Sequence, residues 1–235
     1  RPSVSEPRRA GSFDTCRPLS HEISAFCRNL YDMSAKQSKA YAEPDFWSKK
    51  AFSEGYPARS VYKLQEIDEK FDFIRNPKNC TALDLGAAPG SWTMFLLRKF
   101  NGEGHIVSCD LNELAKNVKG DNVTFIQGDL NDAAVREKIG SLGPYDIVVS
   151  DAAPLTTGNR IVDTARSEQL VDMALWYAES MLKAGGNMAV KIFQNGSQQA
   201  LLQKMRGMFE SAKGFKPAAC RSESFETYLV GIGKK

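Results

Sequence analysis

Histidine is almost absent from this chain of 235 residues; His21 and His105 are the whole supply. Two histidines leave no His-based metal cluster and no Ser/His/Asp triad to build. The five cysteines (Cys16, Cys27, Cys80, Cys109, Cys220) are scattered, odd in number and without C-x-x-C spacing. That argues for reduced thiols in a cytoplasmic setting and against zinc, so no metal is expected. No apolar run approaches the roughly 18 residues that span a membrane. No secretory core is visible, so no membrane partner is expected. Two glycine signatures are missing as well. Neither the dinucleotide turn G-x-G-x-x-G nor the phosphate loop G-x-x-x-x-G-K-[ST] occurs around Gly86 and Gly90, where a ligand turn would otherwise be sought.

Those two glycines belong to the stretch Leu83-Asp-Leu-Gly-Ala-Ala-Pro-Gly-Ser-Trp92. Cys80–Leu83 reads as a buried strand before it, and Thr93–Phe100 as a helix after it. Gly86 and Gly90 permit tight turns and close backbone approach. The helix start offers free N–H groups to a carboxylate or phosphate. Asp84, two residues before Gly86, suits a ligand that carries a cation. S-adenosylmethionine fits, with its ammonium, sulfonium, carboxylate and ribose. On this stretch alone an ordinary βα turn without a ligand stays open.

Apolar and charged fractions, 42% and 25%, are ordinary for a globular domain. The net charge of +3 is small but unevenly placed. Residues 1–32 hold five Lys/Arg and four Asp/Glu, residues 33–63 six and three, and residues 64–235 twenty and twenty-one. The basic excess just before the domain proper suggests a patch for a polyanion, with a solvated surface as the plain alternative. Residues 1–32 read as an extension of unknown role, and Met33-Ser-Ala-Lys as a natural start for the compact part of the chain. Residues 33–58 read as a basic and aromatic arm. Lys36, Lys39, Lys49 and Lys50, with Arg59 beyond them, could hold phosphates, and rings could stack on bases. The plain alternative has Phe46, Trp47 and Phe52 pinning the arm to the core.

Residues 59–235 read as one domain. A helix is predicted over 59–71, where Val61, Leu64, Ile67 and Phe71 follow the helical period. Strands are predicted near 80–85, 105–109, 123–127, 145–150 and 187–193. Helices are predicted near 90–100, 112–117, 131–140, 163–183 and 197–211. This alternation implies an α/β fold, a parallel sheet with helices on both faces. Lys216–Cys220 and Glu226–Ile232 read as a closing antiparallel hairpin.

In such sheets ligands lie beyond the carboxyl ends of the strands. Asp84 and Asp110 end the first two strands, and Asp129, followed by Leu130, comes after the third. Asp110 is placed to accept from ribose hydroxyls, and Asp129 from an adenine amino group. Asp151 follows the fourth strand. Lys191 lies in an apolar fifth strand, where burial without a partner is costly, so it should face the site. Glu226 opens the last strand.

With these motifs the chain resembles the FtsJ/RrmJ-type (heat-shock) RNA ribose 2′-O-methyltransferases over residues 34–235. The resemblance rests on Ala58-Arg-Ser-Val-Tyr-Lys-Leu64, Leu83–Trp92, Ser150-Asp-Ala-Ala-Pro154, Val190-Lys-Ile-Phe193 and Arg221-Ser-Glu-Ser-Phe-Glu-Thr-Tyr228. It implies a Rossmann-like fold with a mostly parallel seven-stranded sheet and an antiparallel terminal hairpin. It implies S-adenosylmethionine as cofactor, held by Asp84, Gly86, Pro89, Gly90, Ser91, Trp92, Asp110, Asp129, Leu130 and Asp151. The family's Lys-Asp-Lys-Glu tetrad falls on Lys63, Asp151, Lys191 and Glu226. The loop Leu155-Thr-Thr-Gly158 departs from the bacterial Asn-Met-Ser-Gly.

The implied reaction is in-line methyl transfer to a ribose 2′-hydroxyl, with Lys191 deprotonating or polarising that hydroxyl. Desolvation and Lys63 favour a neutral Lys191, and Asp151 favours the charged form, so its role as base stays open. The implied substrate is a uridine in the A-loop of large-subunit ribosomal RNA, presented on the subunit to a monomeric enzyme. Transfer RNA is the alternative within the same chemistry. A scaffold role in ribosome assembly is the non-enzymatic alternative. An amino-group methyltransferase fits poorly, because Asp151-Ala-Ala-Pro-Leu155 offers no aromatic to stack a flipped base.

Overall fold

The computed structural model describes residues 44–194, 198–221 and 223–235. Seven strands form one sheet: β1 (Thr81–Leu85), β2 (His105–Asp110), β3 (Val123–Gln127), β4 (Tyr145–Ser150), β5 (Leu182–Phe193), β6 (Phe209–Phe215) and β7 (Glu226–Lys234). Their order is β3-β2-β1-β4-β5-β7-β6. The first five are parallel, and β7 runs antiparallel to both β5 and β6. Among the described residues six helices accompany them: α1 (Phe46–Ser53), α2 (Val61–Phe71), α3 (Ser91–Phe100), α4 (Ala133–Ser141), α5 (Arg160–Met181) and α6 (Gln198–Met208).

The period-2 alternation of the strands divides the core in two. Leu83, Leu85, Val107, Val148, Val190 and Ile192 point one way, onto Ile139 of α4, Val171 and Leu175 of α5 and Leu202 of α6. Ala82, Ile106, Ile147, Val149, Ala189 and Val230 point the other way. They meet Ala51 of α1, Val61, Leu64 and Ile67 of α2, and Trp92, Leu96 and Phe100 of α3. Helices therefore cover both faces, and buried strands of a parallel sheet explain the nearly continuous apolar runs. α2 and α3 each end on a left-handed residue, Asp72 and Asn101. α5 begins at Asn159, whose side chain accepts from the N–H groups of Ile161 and Val162.

Two expectations need correction. Residues 112–117 form bends and a turn, not a helix. The Asp110 side chain accepts from the Asn112 N–H, and the Ala115 N–H donates to the Pro89 carbonyl, so the segment's polar groups are tied to the glycine turn. The outer strand of the hairpin is Phe209–Phe215, not Lys216–Cys220. Buried positions in that edge strand recur at Phe209 and Ala212, a spacing of three that reads as the end of a helix. Residues 216–220 instead turn, closed by the Cys220 N–H on the Pro217 carbonyl. Of the arm, Trp47 packs on Tyr62 with ring centroids 5.1 Å apart, whereas Phe46 and Phe52 are exposed and do not pin it.

Candidate active site

The antiparallel register of β5 and β7 sets Lys191 opposite Tyr228 and Phe193 opposite Glu226. β4, the other neighbour of β5, delivers Asp151 just past its carboxyl end. The covering helix α2 brings Lys63 onto the same spot. Two ion pairs result: Lys63 Nζ lies 2.7 Å from Glu226 Oε1, and Lys191 Nζ lies 3.0 Å from Asp151 Oδ1. Lys191 also donates to the Asp151 backbone carbonyl. Both lysines are buried, and a buried ammonium needs such partners.

Tyr228 completes the cluster. Its hydroxyl donates to Asp151 Oδ1 at 2.6 Å, the same oxygen that faces Lys191. Burial raises the carboxyl pKa of Asp151, but the ammonium groups of Lys191 and Lys63 and the Tyr228 hydroxyl outweigh it and hold it below the ordinary value. Burial lowers the pKa of Lys63, and here too the carboxylates of Asp151 and Glu226 prevail and raise it. Burial and these same two carboxylates push the Tyr228 phenol well above its usual range. Asp151 is ionised and Tyr228 neutral around neutral pH. The sequence signal for Tyr228 lay in Glu226-Thr-Tyr228, where period-2 spacing puts both side chains on one face.

Beside this cluster a small cleft is lined by Ser60, Asp84, Gly86, Ala87, Ala88, Ser91, Trp92 and Asp151. Gly86 has φ of 72°, and a Cβ there would come within 2.6 Å of the Ala152 Cβ. Gly90 has φ of 105° and opens α3, with Val118 pressed against it. Asp84 is fully buried. Its Oδ2 accepts from Thr93 Oγ1 at 2.7 Å, and Thr93 also meets Ser108 Oγ at 2.8 Å. Its Oδ1 has no partner among the described residues. Burial, reinforced by Asp151 and Asp110, pushes the Asp84 carboxyl up to about 7 against the Thr93 hydrogen bond. An orphaned buried carboxylate oxygen in a cleft lined by the left-handed Gly86 fits a small cationic ligand such as S-adenosylmethionine.

The remaining expected residues differ in their fates. Asp110 Oδ2 accepts from the Ala88 N–H and Oδ1 from Asn112, so its carboxylate braces the turn. Asp129 Oδ1 accepts from the Asn131 N–H. Ser91 Oγ donates to the Ala58 carbonyl, and Trp92 Nε1 to the Ser60 carbonyl. The Pro89 carbonyl accepts from Ala115. The Leu130 side chain is a correction: it belongs to the apolar core under α4 and α5, on the face away from the tetrad. Arg59 is another. Its guanidinium is engaged internally, with Asp45 and the Ala219 carbonyl, instead of facing outward to RNA. Lys50 lies over the Tyr62 ring at 4.6 Å, whereas Lys49 is exposed. Lys36 and Lys39 lie outside the described residues. Among the described residues no group of three or more His, Cys, Asp or Glu could hold a metal ion, and no helix is long and apolar enough to cross a membrane.

Comparison with known proteins gives this geometry a context. Residues 56–234 match the model of a family described as FtsJ-like methyltransferase. The chain is 54% identical over 195 residues to the ribosomal RNA large subunit methyltransferase E of Treponema denticola, covering 83% of this chain and 97% of that protein. A Plasmodium falciparum crystal structure assigned as a ribosomal RNA methyltransferase superposes with a TM-score of 0.66 at 30% identity, over 76% of this chain and 98% of that one. Aeropyrum pernix fibrillarin, crystallised with S-adenosyl-L-methionine, shares the fold at a TM-score of 0.52 and 16% identity, over 74% and 76% of the two chains.

Proposed function

This chain belongs to the FtsJ-like methyltransferase family and uses S-adenosylmethionine, and from that premise we propose that it methylates a ribose 2′-hydroxyl in RNA. The substrate proposed is large-subunit ribosomal RNA, at a uridine of the A-loop, presented within the subunit to a monomeric cytoplasmic enzyme. The named activity of the Treponema denticola relative supports the ribosomal substrate. The observation that carries the chemistry is the pairing of Lys191 with Asp151 and of Lys63 with Glu226 at the lip of the cleft that holds Asp84 and Gly86.

When bound, S-adenosylmethionine supplies a methyl group already activated on a sulfonium. The protein therefore has to hold the 2′-hydroxyl in line and manage its proton. Lys191, fixed by two Asp151 oxygens, is the group that orients the hydroxyl: as the neutral amine it takes up the hydroxyl proton, and as the ammonium it stabilises the oxygen as negative charge develops. Asp151 fixes that side chain and offers negative charge beside the cleft. Lys63 and Glu226 position the ribose. Asp84, Gly86, Gly90 and Ser91 would hold the cofactor, and Asp110 and Asp129 would accept from its ribose hydroxyls and adenine amino group. Lys49 is the phosphate-binding candidate that remains exposed on the arm.

The test is Lys191→Ala, assayed for methyl transfer and, separately, for cofactor affinity by calorimetry. Transfer is expected to fall at least about a hundredfold, the scale of a lost proton-transfer group, with cofactor affinity retained. An active Lys191→Ala enzyme overturns the assignment.

A further inference from the structure

Beyond Lys191, the tetrad face of β5 continues to Phe193, two residues and about 6.5 Å farther along the strand. Phe193 is buried, and its ring meets Phe225 edge to face at a centroid distance of 4.9 Å. Phe225 immediately precedes Glu226, and its carbonyl is fixed by the Gln194 N–H at 2.7 Å. Unlike Phe193, it is only partly buried. Over it, at 5.4 Å, lies the guanidinium of Arg160, an exposed residue at the start of α5 that also donates to the Gln194 carbonyl. An aromatic ring and a guanidinium thus share one wall at the carboxyl end of β5, with Phe225 adjoining Glu226 in the chain. Neither group is used by the methyl-transfer chemistry.

We propose that Phe225 and Arg160 form a stacking platform for the nucleobase of the nucleotide being methylated. The proposal deepens the reading of the chain as an RNA ribose methyltransferase and rests on it. A base hangs from C1′, the carbon next to the one that bears the reacting hydroxyl. A ribose held at Lys191 and Glu226 therefore carries its base into the neighbourhood of the wall. Planar π faces and guanidinium planes are what unstacked RNA bases settle on. Their anchoring is rigid, because Phe225 is braced by Phe193 and by the Gln194 backbone. Stacking tolerates any base, so the platform fixes the nucleotide's orientation and leaves the choice of nucleotide to the wider RNA contact.

Three variants separate this from a packing role: Phe225→Leu, which keeps apolar bulk but removes the π face, Phe225→Tyr, which keeps both, and Phe225→Trp. Methyl transfer is measured on large ribosomal subunits that lack the modification, alongside cofactor affinity and Tm. Phe225→Leu is expected to lower kcat/KM about tenfold or more, the scale of one lost stacked base. Tm and cofactor affinity stay unchanged, and Phe225→Tyr restores the rate. A Phe225→Leu enzyme as fast as the parent, or one slowed only in step with a lower Tm, overturns the platform. The Phe225→Trp protein gives a readout that needs no turnover. Its fluorescence, corrected for the parent's three tryptophans, should be quenched on titration with uridine-containing single-stranded RNA. Absence of quenching at saturating RNA also overturns the platform. A parent enzyme that methylates no RNA would instead sink the functional reading, and the quenching experiment would still judge the platform.

Discussion

At the scale of single residues the site turns on two carboxylates with opposite states. Asp151 is ionised because two ammonium groups and a phenol surround it, and Asp84 is driven toward neutrality because burial leaves one oxygen without a partner. Removing the phenol by Tyr228→Phe takes away one donor that favours the charged Asp151. The Asp151 pKa should then rise, and the acidic limb of the kcat/KM profile should move to higher pH, with kcat down about tenfold for one lost charge-assisted hydrogen bond. A profile and rate identical to the parent's would remove Tyr228 from the site's electrostatics. For Asp84 the sign runs the other way. The unfolded chain releases that proton near 3.8 and the folded chain only near 7. The folded state therefore binds the extra proton between those values, and its stability falls as pH rises through that window and stays lower above it. Asp84→Asn should change Tm little at pH 4, stabilise the cofactor-free protein by pH 8, and weaken cofactor binding. Thermal melts at both pH values check this. A Tm difference that does not grow with pH would contradict it.

At the scale of elements, a clamp holds the two halves of the Lys63–Glu226 pair in place. Glu66, one turn after Lys63 on α2, accepts from the N–H groups of Ala218 and Ala219 at 2.6 and 2.8 Å, in the turn that leads toward β7. Arg59, just before α2, reaches the Ala219 carbonyl from the same side. Glu66→Ala should lower Tm by about 2–8 °C, as expected for one or two lost hydrogen bonds in a chain of this size. It should also lower kcat while leaving cofactor affinity intact. A loss of Tm with unchanged kcat would make the clamp purely structural. This contact was not legible in the sequence, because its partners are backbone amides some 150 positions away. The alternation of strands and helices was legible, since buried parallel strands and the stripe Val61, Leu64, Ile67 carry their periods openly. The edge strand Phe209–Phe215 was hidden, because only its burial against β7 distinguishes it from a helix end. The tetrad was readable as four motifs, but Tyr228 needed the register opposite Lys191 to stand out. Arg59 was misread as an RNA contact because its partners Asp45 and Ala219 are set only by the fold.

At the scale of the whole molecule, the parallel sheet gathers strand ends from β1, β2, β4 and β5, and the antiparallel β7 returns Glu226 and Tyr228 to the same edge. Cofactor cleft and tetrad therefore adjoin at one edge of this sheet. The basic excess lies in residues 33–63, ahead of the sheet. The most direct measurement is methyl transfer from labelled S-adenosylmethionine to unmodified large ribosomal subunits, naked ribosomal RNA and bulk tRNA, with the product nucleoside identified and Lys191→Ala run beside the parent. The expected result is 2′-O-methyluridine in the large subunit, formed by the parent and not by Lys191→Ala. Label on a base, or ribose methylation that survives Lys191→Ala, would contradict the chemistry assigned to the tetrad. Label confined to tRNA would keep the chemistry and contradict the ribosomal substrate.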